Sequence, residues 1–512
     1  MSNRFLFLWL CIPVLVEALI THFFPEQAFN SFLGASGIYA YLGIKFYKTK
    51  TYSPLIWLIF MWGLALRFFY ISYTPYYFNQ HDVGFFTDDG RGHFQYIYYI
   101  LKHHTLPVFH MDPRLPIYHP PLHHILSALF LMIFPGYENL QYLTLIYAMG
   151  CVLISYLFLR LWTQSDQERL IAALFCNLFP PFIYLSGQLN NDALGSFLTL
   201  IALFFFFKHL NKASIKNLIL SAVFLGLAGM TKFSTSSFFL GICLYYLCAF
   251  MTHKITFKTA LKEGFILTAI YLPFIGAWPL YAFLHWGKFE GLAIHVASST
   301  IFLDTLKSWF SGYSPFLHLN PSFERFQYVG SYSLFERFGP IFEPLSLPFF
   351  LTGGWHLNQY PEYNIWIGLI KSTLFDEWHL FKLDSSFLHT LGFDFSVALL
   401  LNAKCLFFAF IWCFFKTKRQ TKTALFCQSI VLAAMMGLFF FTLRNPYWAS
   451  CSFRYIVPML PMCGYFVLQY VHEKLATDTQ KNKKIKTIFG YGLILFSSLS
   501  GIVYTLYGAL SF

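Results

Sequence analysis

The chain has 512 residues, of which 57% are hydrophobic and 11% charged, with a net charge of +12 and a mean hydropathy of +0.54. Soluble proteins carry about 25% charged residues, so a soluble globular fold is excluded. The lysines lie in short loops between apolar runs, so membrane topology explains the basic balance better than a nucleic-acid surface does; the chain reads as an all-α polytopic membrane protein.

Apolar runs of about 17–25 residues are long enough to cross the hydrocarbon core. They are predicted over 4–22, 31–47, 54–74, 141–162, 169–186, 192–207, 217–233, 235–251, 263–285, 392–415, 424–443, 453–472 and 487–508, about thirteen transmembrane helices in all. The first, within MSNRFLFLWLCIPVLVEALITHFF, has a signal-like charge and apolar run but no small-residue cleavage site, so it reads as an uncleaved span. Basic clusters alternate with the spans: Lys45, Lys48 and Lys50; Arg160 and Arg169; Lys208, Lys212 and Lys216; Lys254, Lys258 and Lys262; Lys416, Lys418, Arg419 and Lys422; and Lys474 through Lys486. All fall on one side if the short apolar segment Pro120–Pro135 does not cross. By the positive-inside rule that side is cytoplasmic, with the N-terminus inside and the C-terminus outside. The segment then lies in the membrane interface, within a long external loop from about 75 to 140.

Within that loop, His81–Leu122 holds a third of the histidines and the pair Asp88-Asp89 ahead of Gly90-Arg91-Gly92-His93. Ionisable groups are costly in membrane proteins and concentrate where they act or meet water. A second external segment, about 286 to 391, is aromatic and mixed in charge, and is expected to be partly structured, with Ile365–Leu374 dipping into the interface. The ten cysteines lie almost all inside apolar runs with no CxxC pair and read as buried small hydrophobes. No internal repeat is visible, so an inverted-repeat transporter is not supported.

Four features collect on the external face. They are Asp88-Asp89; Tyr118-His119-Pro120-Pro121-Leu122; the hairpin SGQLNNDALGSF with Asn190, Asn191 and Asp192; and the cations Lys232, Arg444 and Arg454, which sit on the wrong side for topology. A bound anion such as a lipid phosphate explains such cations. Each feature also has a plainer reading. Asn191-Asp192 suits a turn and helix N-cap, Lys232 can snorkel to the headgroups, His119 can cap the interfacial helix, and Arg67 reads as structural.

The order Asp-Asp, a tyrosine-rich amphipathic helix, then Leu-Pro and His-Pro-Pro-Leu resembles the GT-C membrane glycosyltransferases. More narrowly, it is similar to the protein O-mannosyltransferase and lipid A aminoarabinose transferase family (glycosyltransferase family 39-like). Ser186…Asn191-Asp192-Ala193-Leu194, Gly226…Thr231-Lys232 and Arg454-Tyr455…Pro458…Pro461 follow in the same order. The resemblance implies a GT-C fold with interfacial helices in the first external loop. It also implies a sugar donor on a polyprenyl or dolichyl phosphate, and a hydroxyl acceptor on a protein, lipid or glycan. Asp88 matches the catalytic aspartate, Asp89 stands where a glutamate is common, and Lys232 matches a donor-phosphate lysine. His119 replaces the usual lysine, and Tyr118 stands where some relatives have a metal-binding glutamate, so a divalent metal is left open.

The chemistry fits this pattern. The leaving group is already a phosphate, so one carboxylate base suffices for an inverting transfer, whereas a glycosidase must also protonate an alkoxide. Asp88 is expected as base, with Lys232 and Arg454 as phosphate clamps and Asp89, His93, His119, Asn191 and Asp192 as positioning or substrate-binding groups. On this basis 1–50 are two extra N-terminal helices and 51–285 the catalytic core. Residues 286–391 form an external subdomain and 392–512 the C-terminal helices. The expected location is a bacterial inner membrane with the site facing the periplasm or exterior, or the endoplasmic reticulum in a eukaryote. The alternative class is a transporter or flippase, for which Glu17 and Lys404 are the mid-span candidates; an assembly or scaffold subunit is a third.

Overall fold

The computed structural model describes residues 3–76, 92–107, 119–286, 318–319, 332–333, 365–375, 387–417, 421–444, 452–475 and 480–511. In a bilayer an unsatisfied peptide group costs several kcal/mol, so a spanning chain folds as helices that close their own hydrogen bonds. Helices stand at every predicted span. They are α1 (Asn3–Phe23), α2 (Ala28–Lys48), α3 (Tyr52–Tyr73), α4 (His93–His103), α5 (Leu122–Ile133), α6 (Asn139–Trp162), α7 (Asp166–Leu178), α8 (Pro180–Tyr184) and α9 (Asp192–Asn211). After them come α10 (Ile215–Thr231), α11 (Ser236–Met251), α12 (Phe257–Trp286), α13 (Ile365–Phe375), α14 (Phe387–Lys416), α15 (Lys422–Arg444), α16 (Leu460–Leu475) and α17 (Gln480–Ser511). Among the described residues, eight helices are long and apolar enough to cross a membrane. The chain is therefore a multi-pass membrane protein.

Two apolar cores organise the bundle. One joins α1–α3, α6–α8, α14 and α17; the other joins α9–α12, α15 and α16, with α6 contributing to both. Within 286–391, β1 (His318–Leu319) and β2 (Tyr332–Ser333) pair antiparallel, a two-stranded departure from an all-helical chain.

Two predicted spans are built differently from a continuous helix. The segment 169–186 breaks at Phe179, because Pro180 and Pro181 donate no N–H and the residue before a proline is pushed to extended backbone. The freed carbonyls find other donors. Arg67, fully buried in α3, gives Nε to Phe182 O at 3.0 Å and Nη2 to Asn177 O at 2.8 Å, while Nη1 reaches Gly63 O at 2.7 Å. Ser500 of α17 donates to Leu178 O at 2.6 Å. A side chain at Gly63 would run into Asn177, so glycine leaves the room this arrangement needs. The plainer reading of Arg67 is the right one. Arg67→Met should strip the carbonyls of their charged donor, at about 1–3 kcal/mol for each group left bare. The expected result is a lower unfolding midpoint in detergent; an unchanged midpoint would show that water replaces the guanidinium.

The segment 453–472 likewise begins as two short 3-10 turns, 453–455 and 457–459, before α16 starts at Leu460. Pro458 and Pro461 favour such an irregular entry.

α5, at 12 residues, is about 18 Å long, too short for a core of about 30 Å. Leu129, Met132 and Ile133 are exposed while His123, His124, Ser127, Ala128 and Leu131 are buried, so one face packs on protein. It lies against α4 over Tyr96, Ile97, Ile100, Ala128 and Leu131, with Trp278 and Ala282 of α12 completing the cluster. Both helices have the amphipathic form of interfacial elements.

At the opposite end of the bundle, Ser165 caps α7 by accepting Glu168 N, and Glu168 Oε2 returns to Gln164 N at 2.7 Å, a capping box. The same carboxylate takes His472 Nε2 at 3.2 Å and Lys486 Nζ at 2.8 Å, tying α7 to α16 and α17. Burial pushes its pKa up, but these partners outweigh burial and hold it at about 2.

Candidate active site

The hairpin between α8 and α9 is the platform of the site. Gln141 of α6 donates from Nε2 to Thr74 O at 2.7 Å and Gly187 O at 2.9 Å, and Thr144 donates to Ser186 O at 3.0 Å. Tyr70 lies so close to Gly187 that a side chain there would meet its ring. Asn190 Oδ1 accepts Asp192 N at 3.0 Å, an Asx-type turn that starts α9. Asn191 occupies the N-cap position but makes no side-chain cap; its Nδ2 donates to Thr231 O at 3.0 Å instead. Asp192 is thus presented in the first turn of α9, where the helix dipole favours a carboxylate.

Three separate stretches converge on that carboxylate. Lys232, at the C-cap of α10, pairs through Nζ with Asp192 Oδ1. Arg454, on the first 3-10 turn, places Nε 3.2 Å from Asp192 Oδ2 with a fully buried side chain. Tyr455 closes the group. Its ring lies 4.3 Å from Lys232 Nζ and 5.1 Å from Arg454 Cζ, and Arg454 Nη2 donates to its hydroxyl at 3.2 Å. A cation over an aromatic face gains from the ring quadrupole. The turn is held by Ser372 of α13, whose Oγ accepts Phe453 N at 3.0 Å. α13 buries Leu374 and Phe375 in the first core beside this turn.

Lys232 and Arg454 therefore share the Asp192 carboxylate, with the Arg454 and Asp192 side chains buried, and buried charges of this kind require partners.

Beside it lies a nest of imidazoles. Gly92, at φ +89°, adopts a left-handed conformation that glycine tolerates, and starts α4 so that His93 is its first residue. His93 Nδ1 lies 2.8 Å from His124 Nε2, and its ring stacks on His119 at 4.7 Å. His119 Nδ1 is 3.4 Å from Asn191 Nδ2, which links the nest to the hairpin. Tyr96 stacks on His124 at 4.0 Å. Both ring nitrogens of His123 are buried with no hydrogen-bond partner among the described residues. Burial lowers the His123 pKa to about 4 despite the pull of Asp192. Burial and the neighbouring imidazoles drive that of His124 well below its ordinary value.

Of the residues singled out from sequence, His93, His119, Asn191, Asp192, Lys232 and Arg454 come together. Asp88, Asp89 and Tyr118 lie outside the described residues, as does the side chain of Arg444. Among the described residues no three His, Cys, Asp or Glu side chains form a group able to hold a metal ion. Sequence reasoning passed over His123, His124 and Tyr455. The signal for the first two was two histidines opening a short apolar helix, an expensive placement unless they face protein.

A helical multi-pass membrane protein with a buried cation pair and a histidine nest at the ends of its spans has the makings of an enzyme of the membrane surface. Residues 118–278 match the family model described as dolichyl-phosphate-mannose-protein mannosyltransferase, which bears out the resemblance read from the motifs and the reading of the chain as a membrane glycosyltransferase. Among solved structures, ArnT from Cupriavidus metallidurans bound to undecaprenyl phosphate is similar at TM-score 0.49 and 11% identity, over 89% of this chain and 77% of that one. The same protein in the apo state gives TM-score 0.44 and 10% identity, over 86% and 75%. At those values the likeness is one of general shape, and no residue role is carried across from it. No curated protein matches the chain by sequence.

Proposed function

We propose that this glycosyltransferase moves a sugar from a polyprenyl-phosphate donor to a hydroxyl acceptor, on the non-cytoplasmic face and with inversion. The observation that supports it most is the convergence of two cations, Lys232 and Arg454, from separate stretches of the chain on the Asp192 carboxylate, which is the kind of group that grips a phosphodiester. In the reaction the acceptor O–H breaks, its oxygen bonds to the anomeric carbon, and the bond from that carbon to the phosphate oxygen breaks, its electron pair leaving on the phosphate. Lys232 and Arg454 stabilise the charge that builds there, as preorganised cations do in a dry site. Asp192 holds the two cations in place and keeps them from repelling each other.

Asp88, which stands five residues before His93 in the chain, takes the acceptor proton. Asp89 orients the base, and His93 and His119 line the sugar side. In this reading the chain has thirteen spans with all the basic clusters of the short loops cytoplasmic, and this end of the bundle faces the periplasm or exterior of a bacterial inner membrane, or the lumen of the endoplasmic reticulum; the positive-inside rule supports it.

Purified protein given a radiolabelled polyprenyl-phosphate sugar and a hydroxyl acceptor should consume the donor and release polyprenyl phosphate. Release of the intact donor across a vesicle wall without cleavage would instead make the chain a flippase.

A further inference from the structure

At the end of the bundle away from Asp192, the helices leave a pocket of about 350 Å³ that the transfer does not use. α9 measures the distance between the two places. Asp192 is its first residue and Asn211, which lines the pocket, its last, so about 30 Å of helix lies between them.

The pocket forms where α6, α9, α15 and α16 meet. Trp162, the last residue of α6, packs edge-on against Phe207 of α9 at 5.4 Å and Tyr465 of α16 at 5.0 Å, and these rings make its apolar wall. Thr421 Oγ1 accepts Ala424 N at 3.0 Å, capping α15, and lies 3.4 Å from the Tyr465 hydroxyl, which fixes the start of α15 beside the rings. Asn211, Thr423 and Gln469 supply the rest of the polar lining. Among the described residues, no charged side chain lines the pocket.

Charge stands at the rim instead. Arg160 precedes Leu161 of the lining, Lys208 follows Phe207, Lys212 follows Asn211, and Lys422 lies between Thr421 and Thr423. All four are exposed, and none of them is ion-paired among the described residues. The positive-inside bias accounts for cations at this end, but not for a neutral recess of amides and hydroxyls among them. Two carboxylates stand near, and both are engaged. Glu473 accepts Gln469 Nε2 at 3.2 Å, and Glu263 takes His209 Nε2 at 3.2 Å and the Tyr246 hydroxyl at 2.9 Å.

We propose that this pocket binds a lipid phosphodiester with a polyhydroxyl headgroup, its phosphate on the cationic rim and its hydroxyls in the recess. Aromatic faces cover the C–H side of a polyol while amides and hydroxyls pair its oxygens, the apolar wall with a few placed polar groups that small-ligand sites use. Trp and Tyr rings at helix ends suit the headgroup level, and basic recesses between spanning helices lodge anionic headgroups. A bare phosphate gains nothing from the neutral lining, and an uncharged glycolipid gains nothing from the rim. A phosphoglycerol lipid of the bilayer and a polyprenyl-phosphate sugar share the required chemistry. The site is a second one, on the opposite face from the Asp192 platform, and it stands whether or not that platform performs the transfer.

Native mass spectrometry of the full-length protein in detergent, titrated with short-chain lipids, tests this. Phosphatidylglycerol and phosphatidylmethanol carry the same charge and differ in their headgroup hydroxyls. Phosphatidylglycerol is expected to bind about tenfold more tightly, the worth of one or two hydrogen bonds. Asn211→Leu combined with Thr423→Val should erase that preference and leave phosphatidylmethanol binding as it was. Lys212→Ala combined with Lys422→Ala should weaken both lipids alike. Equal affinity for the two lipids in the unaltered protein, or a preference that survives Asn211→Leu with Thr423→Val, overturns the proposal. A polyprenyl-phosphate hexose separates the sources. If Asn211→Leu with Thr423→Val loses one of two bound equivalents, the pocket takes the sugar lipid; if only phosphatidylglycerol is affected, it takes the bilayer phospholipid, and either result supports the site. If a double variant fails to fold, a photoactivatable phosphatidylglycerol decides on the unaltered protein. Crosslinks at 161–162, 207–211, 421–423 or 465–469 support the pocket, and crosslinks confined to other segments overturn it.

Discussion

Asp88→Asn is expected to abolish most sugar transfer while the protein still inserts, folds and binds the product phosphate. General-base catalysis contributes about 10²–10⁴-fold, and an amide of nearly the same shape removes the base without disturbing packing. Two measurements on the same preparation separate base from scaffold: turnover of a radiolabelled polyprenyl-phosphate sugar, and affinity for polyprenyl phosphate. The first should fall by at least about a hundredfold and the second should hold. Asp89→Asn is the control for the neighbouring carboxylate. Near-normal transfer by Asp88→Asn would move the base to another group, with Asp89 the first to test.

Asp192→Asn acts on the opposite side of the chemistry. The carboxylate is 4% exposed and sits between Lys232 and Arg454. Removing one member of a buried charged group costs about 3–5 kcal/mol, because the remaining charges stay buried without compensation. The variant should therefore unfold at a clearly lower temperature than the parent protein. Its site, however, now has one negative charge fewer beside the two cations. Polyprenyl phosphate should raise its unfolding temperature by more than it raises that of the parent, since a ligand that binds only the folded state stabilises it in proportion to its affinity. Equal stability with and without Asp192 would mean that the pairing does no structural work. A smaller ligand effect in the variant would mean that the phosphate does not sit between the two cations.

Much of this site was legible in the chain because membrane topology makes certain residues conspicuous. Lys232 and Arg454 stood out as cations on the side from which lysine and arginine are normally withheld, and both converge on Asp192. The same count of basic loops turned Pro120–Pro135 from a span into an interfacial element, and α5 is indeed too short to cross. Asp192 was visible as a helix-starting residue in a polar hairpin. Its pairing with Arg454 was not, because the two are separated by half the chain and no local pattern records a tertiary contact of that length.

The histidine nest was half seen for a related reason. His93 and His119 belonged to the motif-bearing loop, whereas His123 and His124 looked like ornaments of an apolar helix until its buried face was known. Arg67 keeps the structural role read from the sequence: it serves the carbonyls of Asn177 and Phe182 on either side of Pro180 and Pro181, which a hydropathy reading of 169–186 had merged into one span.

The Asp192 group is also assembled in a fixed order along the chain. Asp192 and Lys232 flank neighbouring helices and neutralise each other as soon as α9 and α10 are side by side. Arg454 enters only with the turn before α16, after most of the protein has been threaded into the bilayer. An incomplete chain therefore holds only the Asp192–Lys232 pair, and the last helices to arrive bring the second cation to the same carboxylate.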